Sequence, residues 1–230
     1  MSFYKACISL ILVWIISLPL YAVDVDGDGL QDYQVSAGDY YTCAIDDNGV
    51  HCWGYYNSPT DVPNNLVNPV AISAGGTHAC AIDDNGVHCW GDNNDGQTDV
   101  PTNLVNPVAV STGYNHTCAI DDNGVHCWGD NDYGEANPPT WLVNPVAIEA
   151  GEGHTCAIDD NGVHCWGYNS DGQTDDKPHL VNPVAIAAGE YHTCAIDDNG
   201  VYCWGRNHRG QTDVPTNLVN PVAISAKYNY

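Results

Sequence analysis

Short runs of hydrophobic and small polar residues recur along most of the chain, and polar turn residues separate them. In residues 69–101 the runs are PVAISAG, HACAID and VHCWG; DDNG separates the last two, and a polar connection through GQTDVP follows. Such runs, with period-two alternation and turn residues at their ends, are typical of β-strands. The pattern predicts three strands per unit, termed a, b and c, and an all-β fold without helices.

The segment CAIDDNGVHCWG recurs with little change at five places in the chain. Its copies begin at Cys43, Cys80, Cys118, Cys156 and Cys194, so the period is 37 residues once and 38 residues three times. A fixed period of this length is typical of solenoids, propellers and arrays. Because both faces of each predicted sheet carry bulky side chains, both must be covered, as in a propeller blade.

The DDNG turn fixes how strands b and c pair. A four-residue hairpin loop that ends in glycine places Ile82 opposite Val87 and Cys80 opposite Cys89. Directly opposed cysteines are close enough for a disulfide. The expected pairs are therefore Cys43 with Cys52, Cys80 with Cys89, Cys118 with Cys127, Cys156 with Cys165, and Cys194 with Cys203.

A metal site is the alternative use of these cysteines, because each unit also carries histidines. Cysteine and histidine together are the ligands of structural zinc. The spacing is not CxxC, however, and His88 points away from the cysteine pair. We therefore expect disulfides, and packed strand positions for the histidines, which are His51, His78, His88, His116, His126, His154, His164 and His192.

The N-terminal residues differ in composition from the repeats. Residues 1–22 have a short basic start, an apolar run and a small residue at Ala22, as secretory signal peptides do. An uncleaved anchor is the alternative; no other stretch is long and apolar enough to span a bilayer. We expect the chain to be secreted, periplasmic or at the cell surface, which suits disulfides.

The segment between the signal peptide and the repeats, residues 23–34, is rich in aspartate. It resembles a calcium loop in which carboxylates stand at positions 1, 3, 5 and 9 and a backbone carbonyl at position 7. The bidentate glutamate of position 12 is missing, and a solvated acidic linker is the alternative. If calcium binds, the expected ligands are Asp24, Asp26, Asp28, Leu30 and Asp32.

The repeated Asp-Asp pairs, such as Asp46 with Asp47, raise a second possibility of calcium or of paired-carboxylate catalysis. Turn formation also accounts for them, because aspartate and asparagine favour such loops. The chain contains neither GxSxG, HExxH nor a phosphate-binding loop. We therefore expect the pairs to be turn residues and the protein not to be an enzyme.

Acidic residues dominate the charge of the chain. Aspartate and glutamate number 29 against five lysines and arginines, for a formal net charge of −24. Such a surface repels phosphate groups, which argues against nucleic acid and anionic membranes as partners.

The repeat resembles that of the regulator of chromosome condensation family. The residues that carry the resemblance in the second unit are Ala74-Gly75, His78, Cys80-Ala81-Ile82, Gly86, Cys89-Trp90-Gly91 and Gly96-Gln97. Unit one departs from it, with Tyr41 at the histidine position and no Gly-Gln pair. The resemblance covers residues 35–226, with residues 227–230 as a tail.

The resemblance implies a β-propeller that binds proteins through loops on one face. The short unit ending in GQTDVP is similar to that of bacterial secreted members such as the propeller-type β-lactamase inhibitor. Five repeats are present, and residues 222–226 begin a sixth. The blades therefore form a small ring, an open arc, or part of a longer sequence.

Variation between the units predicts which face binds an extracellular protein partner. The DDNG end is constant, whereas the a–b turn and the residues after each WG differ from unit to unit. Tyrosine and arginine are enriched in interface hot spots, although relaxed drift also produces variation. The alternatives are an enzyme inhibitor and a structural envelope component. The expected contact residues are Tyr55, Tyr56, Tyr133, Tyr168, Tyr191 and Arg206.

Overall fold

The computed structural model describes residues 34–55, 59–175 and 180–227, and these contain fifteen β-strands. The predicted a strands are β1 (Gln34–Ala37), β4 (Ala71–Ala74), β7 (Ala109–Thr112), β10 (Ala147–Ala150) and β13 (Ala185–Ala188). The b strands are β2 (Tyr41–Asp46), β5 (His78–Asp83), β8 (His116–Asp121), β11 (His154–Asp159) and β14 (His192–Asp197). The c strands are β3 (Gly49–Gly54), β6 (Gly86–Gly91), β9 (Gly124–Gly129), β12 (Gly162–Gly167) and β15 (Gly200–Gly205).

Each unit forms one three-stranded antiparallel sheet in the order a, b, c. The register is the predicted one, with Ile82 opposite Val87 and Cys80 opposite Cys89. The glycine of each DDNG turn has a positive φ, 117° at Gly86, which a residue with a side chain rarely adopts. The prediction of five all-β, three-stranded blades is confirmed.

All five predicted disulfides are present, one across each b–c hairpin, and they join Cys43–Cys52, Cys80–Cys89, Cys118–Cys127, Cys156–Cys165 and Cys194–Cys203. Each bond closes a short loop and stabilises the blade by about 2–3 kcal/mol on the loop-entropy model. Among the described residues no group of three or more histidine, cysteine or acidic side chains is arranged to hold a metal ion.

A buried polar relay joins successive blades from the second to the fifth. His116 Nε2 lies 2.8 Å from Thr155 Oγ1 of the next blade, and Thr155 Oγ1 donates to the Glu135 carbonyl oxygen at 2.9 Å. Because the threonine proton is used on that carbonyl, His116 must carry a proton on Nε2 and donate it to Thr155. The same relay joins His78 to Thr117 and His154 to Thr193.

The relay histidines are packed strand residues, as the sequence indicated. His78, His116 and His154 are completely buried. Burial penalises the imidazolium form and lowers the pKa of His78 to about 4, and that of His116 and His154 to about 3. These side chains hold adjacent blades together in the neutral state.

The first junction, between blades one and two, is built differently. Tyr41 stands at the histidine position and Ala79 at the threonine position, and the Tyr41 hydroxyl donates to the His78 carbonyl oxygen. Tyr41 and Ala79 belong to one buried cluster with Trp90. A longer side chain on one blade is thus matched by a smaller one on the next.

In blades two to five, hydrogen bonds join the DDNG turn at the constant end to the loop that precedes the blade. Asp83 accepts hydrogen bonds from the Asn85 N–H within the turn, at 2.7 Å, and from the Val67 N–H of the preceding loop, also at 2.7 Å. Asp84 accepts from the Asn68 amide at 2.7 Å, and Asn68 itself has a φ of 50°. The interpretation of the Asp-Asp pairs as turn residues is confirmed.

The first aspartate of the turn is held as a carboxylate. Burial acts to raise the pKa of Asp83, but the N–H bonds from Val67 and Asn85 and the neighbouring His88 outweigh it, so the pKa lies below its usual value. His88 Nε2 lies 3.0 Å from the same carboxylate. The second set of histidines therefore supports the turn.

The a–b turns of successive blades touch through their backbones. A Cβ placed on Gly113 would lie 2.4 Å from the Gly151 carbonyl oxygen and 2.5 Å from His116 Cε1, so this approach requires glycine. The a strands of neighbouring blades pack side by side in chain order. In the part of the chain that the structure describes, the five sheets are not closed into a ring.

The expected start of a sixth unit does not form a strand. Residues 222–226 have no strand pairing in the structure. The segment nevertheless follows the fifth blade, and Lys227 Nζ donates to the Ala74 carbonyl oxygen at 3.1 Å.

Candidate functional site

The a–b turn and the exit from strand c lie at the same end of every blade. The residue after each WG donates its N–H to the carbonyl of the second a–b turn residue, as Asp92 does to Thr77 at 3.1 Å and Arg206 does to Tyr191 at 2.8 Å. This end, here termed the variable face, is opposite the DDNG turns. The predicted division of each blade into a variable and a constant end is confirmed as geometry.

Four of the predicted contact residues form one continuous row on the variable face. The ring centroids of Tyr133 and Tyr168 are 4.7 Å apart in an edge-to-face arrangement, and those of Tyr168 and Tyr191 are 6.0 Å apart. Arg206 Cζ lies 4.5 Å from the centroid of the Tyr191 ring. This tyrosine row (Tyr133, Tyr168, Tyr191 and Arg206) therefore spans loops of blades three, four and five.

Local packing holds the row in place. The a–b turn of blade four carries Gly153, and a Cβ there would lie 3.4 Å from Tyr133 Cδ2 and 3.5 Å from Tyr168 Cβ, so a large side chain would displace the rings. The Tyr133 N–H donates at 2.8 Å to the buried carboxylate of Glu135. Arg206 Nε lies 3.8 Å from Asp171 Oδ1. Edge-to-face and cation–π contacts both favour this arrangement.

Tyr55 lies apart from the row, beside a cleft at the first junction. Its ring centroid is 6.2 Å from that of Tyr40, and the two side chains are 71% and 64% exposed. The cleft has a volume of about 710 Å³, and Trp90 and Tyr114 also line it. The structure thus divides the predicted contact residues into the tyrosine row and the Tyr55 cleft.

The cleft and three of its aromatic residues were not predicted from the sequence. Tyr40 and Tyr114 belong to the variable a–b turns, and Trp90 belongs to the repeated WG of strand c. The signal that points to the cleft is the absence of the Gly-Gln pair from unit one. Pro59 stands where Gln97 stands in the next unit, and its carbonyl oxygen accepts from Trp90 Nε1 as that of Gln97 does from Trp128 Nε1.

Carboxylates of the a–b turns give the variable face a negative centre. Burial, together with the nearby Glu190, raises the pKa of Asp39 to about 6, against an opposing effect of Lys227. Burial and Glu190 likewise raise the pKa of Glu152 to about 7. The pKa of Asp39 responds to Glu190 of blade five and to Lys227, and that of Glu152 in blade four responds to Asp39, so these charged groups lie near one another.

Glu149 and Lys227 influence each other electrostatically close to this centre. Burial raises the pKa of Glu149 to about 7, and Lys227 opposes that shift. The pKa of Lys227 is lowered by burial, which Glu149 and Asp39 oppose. Glu149 occupies the position where Ser36, Ser73 and Ser111 accept an N–H from the next blade. The a strands thus differ in their polar residues at the fourth blade.

Several predicted site residues lie outside the described residues. They are Tyr56 and the proposed calcium ligands Asp24, Asp26, Asp28, Leu30 and Asp32, so these remain predictions. The proposed signal peptide, residues 1–22, and the segment 23–34 also remain predictions, apart from Gln34 as the first residue of β1. The described residues include no helix able to span a bilayer.

Solved structures with the same fold include two plant receptor ectodomains. The ectodomain of the Physcomitrella patens receptor kinase CR4 is 23% identical, with a TM-score of 0.70, over 84% of this chain and 58% of that one. The CRINKLY WD40 ectodomain of the Arabidopsis thaliana receptor kinase ACR4 is 30% identical, with a TM-score of 0.60, over 75% and 63%. The chain spans less than two thirds of either structure.

A third structure is Prp20p from Saccharomyces cerevisiae, described together with its binding to Gsp1p and histones. It is 19% identical, with a TM-score of 0.61, over 75% of this chain and 57% of that one. No curated protein sequence matches the chain significantly. The similarity to the bacterial β-lactamase inhibitor stays a prediction.

A family comparison agrees with the strand pattern and the register. The chain matches the regulator of chromosome condensation (RCC1) repeat over residues 33–58, 70–97, 108–135, 146–173 and 184–211. These five segments together make up more than half of the sequence, and each contains one a–b–c sheet. The chain therefore belongs to the regulator of chromosome condensation (RCC1) repeat family.

Proposed function

We propose that this protein is an extracellular protein-binding module whose contact surface is the variable face, centred on the tyrosine row. The observation that carries the proposal is the contact of Tyr133, Tyr168, Tyr191 and Arg206 across three blades. Tyrosine and arginine supply large contact areas at a modest cost in side-chain entropy and dominate interface hot spots.

The five disulfides support an oxidising location for this module. The similarity to the ACR4 ectodomain supports an extracellular role, and the binding of Prp20p to other proteins supports recognition by such a fold. Fold similarity alone does not determine function. An enzyme inhibitor would be a special case of the same module, whereas a structural envelope component would not need the row.

Site-specific photo-crosslinking tests the proposal directly. A photoreactive phenylalanine analogue is placed at Tyr168 in one sample and at Tyr202 in another. Tyr202 is an exposed tyrosine on strand β15, outside the row. After irradiation in the native extracellular milieu, we expect the Tyr168 probe to give a discrete crosslinked protein and the Tyr202 probe not to do so.

Binding of the crosslinked protein is then compared between two matched variants. Tyr133→Ala with Tyr168→Ala truncates the row, and Trp141→Ala with Tyr202→Ala removes two exposed aromatic side chains elsewhere. Trp141 packs edge-to-face on His164 at 4.7 Å, towards the constant end. We expect at least a tenfold loss of affinity only for the first variant. Equal losses, or a loss only for the second, would overturn the proposal.

A further inference from the structure

The cleft at the first junction lies where the repeat departs from its own pattern. At the regular junctions the residue equivalent to Pro59 is Gln97, Glu135 or Gln173, and each of the three is buried. The Gln97 side chain accepts from the Asp95 N–H at 2.9 Å, and its amide lies 3.4 Å from Thr77 Oγ1. The short ring of Pro59 has no such atoms. The absence of the glutamine or glutamate side chain at this position accounts for the cleft at the first junction.

Aromatic rings and carboxylates together line this cleft. Tyr40, Tyr55 and Trp90 contribute rings, and Asp39, Asp61 and Asp92 contribute carboxylates. Among the described residues that line it there is no lysine, arginine or histidine. A site of negative charge bounded by aromatic faces favours a flat cation, which stacks on rings while it pairs with carboxylates.

The chain itself contains this type of recognition at an equivalent place. In blade five, Arg206 occupies the position after WG that Tyr55 occupies in blade one, and Tyr191 occupies the a–b turn position of Tyr40. The Arg206 guanidinium lies over the Tyr191 ring and 3.8 Å from the Asp171 carboxylate. Blade one has the turn tyrosine and nearby carboxylates but no arginine of its own at this position.

We propose that the cleft at the first junction binds an arginine side chain presented by the protein partner. The guanidinium stacks on Tyr40 or Tyr55 and pairs with the carboxylates of Asp39 and Asp61. This inference rests on the proposed function, because it specifies the chemistry of the partner that the variable face binds. The strongly acidic chain, with its net charge of −24, favours approach of a basic segment from long range.

The probe for this site is the blocked peptide acetyl-Gly-Arg-Gly-amide, titrated into the full chain. Binding is followed by NMR through the Trp90 indole N–H and the Gly76 and Gly91 amides, all at residues that line the cleft. We expect saturable shifts with a dissociation constant in the millimolar range. The citrulline peptide has nearly the same shape without the charge, and we expect it to bind at least tenfold more weakly.

Two substitutions and one matched control locate the binding. Pro59→Gln restores the residue of the repeat and is expected to fill the cleft. Asp61→Asn is expected to weaken binding of the arginine peptide at least fivefold. Asp99→Asn is the control, since Asp99 is the equivalent of Asp61 at the next junction, where it accepts from Asn93 at 2.8 Å. We expect that variant to bind the peptide as the unaltered protein does.

Three results would overturn the inference: no saturable shifts, equal binding of the citrulline peptide, or an equal loss for Asp61→Asn and Asp99→Asn. The outcomes also separate this inference from the proposed function. If the tyrosine-row variant loses the partner but the arginine peptide does not bind, only this inference fails. If the peptide binds the cleft but the row variant keeps the partner, only the proposed function fails.

Discussion

The regular junctions and the first junction solve the same packing problem with different residues. At the regular junctions, a buried neutral histidine donates to a threonine of the next blade, which donates to a loop carbonyl. At the first junction, Tyr41 reaches past Ala79 to a backbone oxygen, and Pro59 replaces the buried Gln97. The blade stacking is kept in both cases, and a cleft of about 710 Å³ lies beside the first junction.

The difference shows which parts of the repeat are needed for the fold and which are free to change. Two contacts occur at all junctions. The glycine that begins each a–b turn lies against the carbonyl oxygen of the equivalent glycine in the next blade, and the tryptophan indole donates to a loop carbonyl. The histidine, threonine and glutamine side chains can be exchanged as a set. Where they are exchanged, a cleft lined by aromatic rings and carboxylates lies on the variable face.

The largest expected effect is at a regular junction. His116→Ala removes a fully buried side chain with its bond to Thr155, and we expect the free energy of unfolding to fall by about 3 kcal/mol, through the cavity and the lost bond. Tyr41→Phe at the first junction removes only a hydroxyl and should cost about 1 kcal/mol. Urea denaturation measures both; equal effects would contradict the comparison.

The second largest effect is expected in the pH dependence of stability, which depends on the buried histidines of the regular junctions. Burial lowers the pKa of His116 to about 3, whereas in the unfolded chain it is near 6.5. The stability due to neutral His116 is therefore fully present above about pH 6.5 and is lost as the pH falls towards 3. Comparing the protein with His116→Asn, we expect the difference in unfolding free energy to shrink by about 2 kcal/mol between about pH 7 and about pH 5.

Comparing the protein with His116→Asn cancels the effect of the carboxyl groups that titrate in the same pH range. The raised pKa values of Glu149 and Glu152, both about 7, are shared by the protein and the variant, and they change stability in the opposite direction as the pH falls. If the difference in unfolding free energy between the protein and His116→Asn does not change with pH, His116 is not held neutral.

A double-mutant cycle at the first junction tests the pairing of Tyr41 with Ala79. Ala79→Thr alone places extra atoms against the Tyr41 ring, and we expect a loss of about 2 kcal/mol. Together with Tyr41→His, the regular histidine–threonine pair is restored, and at least about 1 kcal/mol should be recovered as coupling. Additive effects in thermal or urea unfolding would mean that the two positions are independent.

The smallest effect is expected away from the junction relay, on the outer strand. His126 Nε2 lies 3.0 Å from Asp121, but the fifth unit has Tyr202 at the equivalent position and forms the same hairpin. We expect His126→Tyr to change the free energy of unfolding by less than about 0.5 kcal/mol. A loss comparable with that of His116→Ala would contradict the distinction between the two sets of histidines.

The hairpins were predictable because their determinants are local. The DDNG turn and its glycine fix the register of strands b and c, and the disulfide of Cys80 with Cys89 follows from that register. The constant and variable ends follow from the alternation of strand direction. The repeat period then places equivalent residues at one end of every blade.

The contacts between blades were not predictable from the same reasoning. His78 and Thr117 are 39 residues apart, and only the twist of two stacked sheets brings them within 2.7 Å. The contact of Tyr133 with Tyr168 depends in the same way on the loops of two units and on Gly153. The absent pairing of residues 222–226 was missed because their sequence repeats that of the a strands.

The most direct test of the regular junction is the tautomer of its histidines in the full chain, measured by long-range ¹H–¹⁵N NMR of the imidazole nitrogens. At about pH 5.5, we expect His78, His116 and His154 to be neutral, with the proton on Nε2, as the bond to threonine requires. These three imidazoles should not titrate near pH 6.5. Imidazoles that carry the proton on Nδ1, or that become charged near pH 6.5, would contradict the relay between blades.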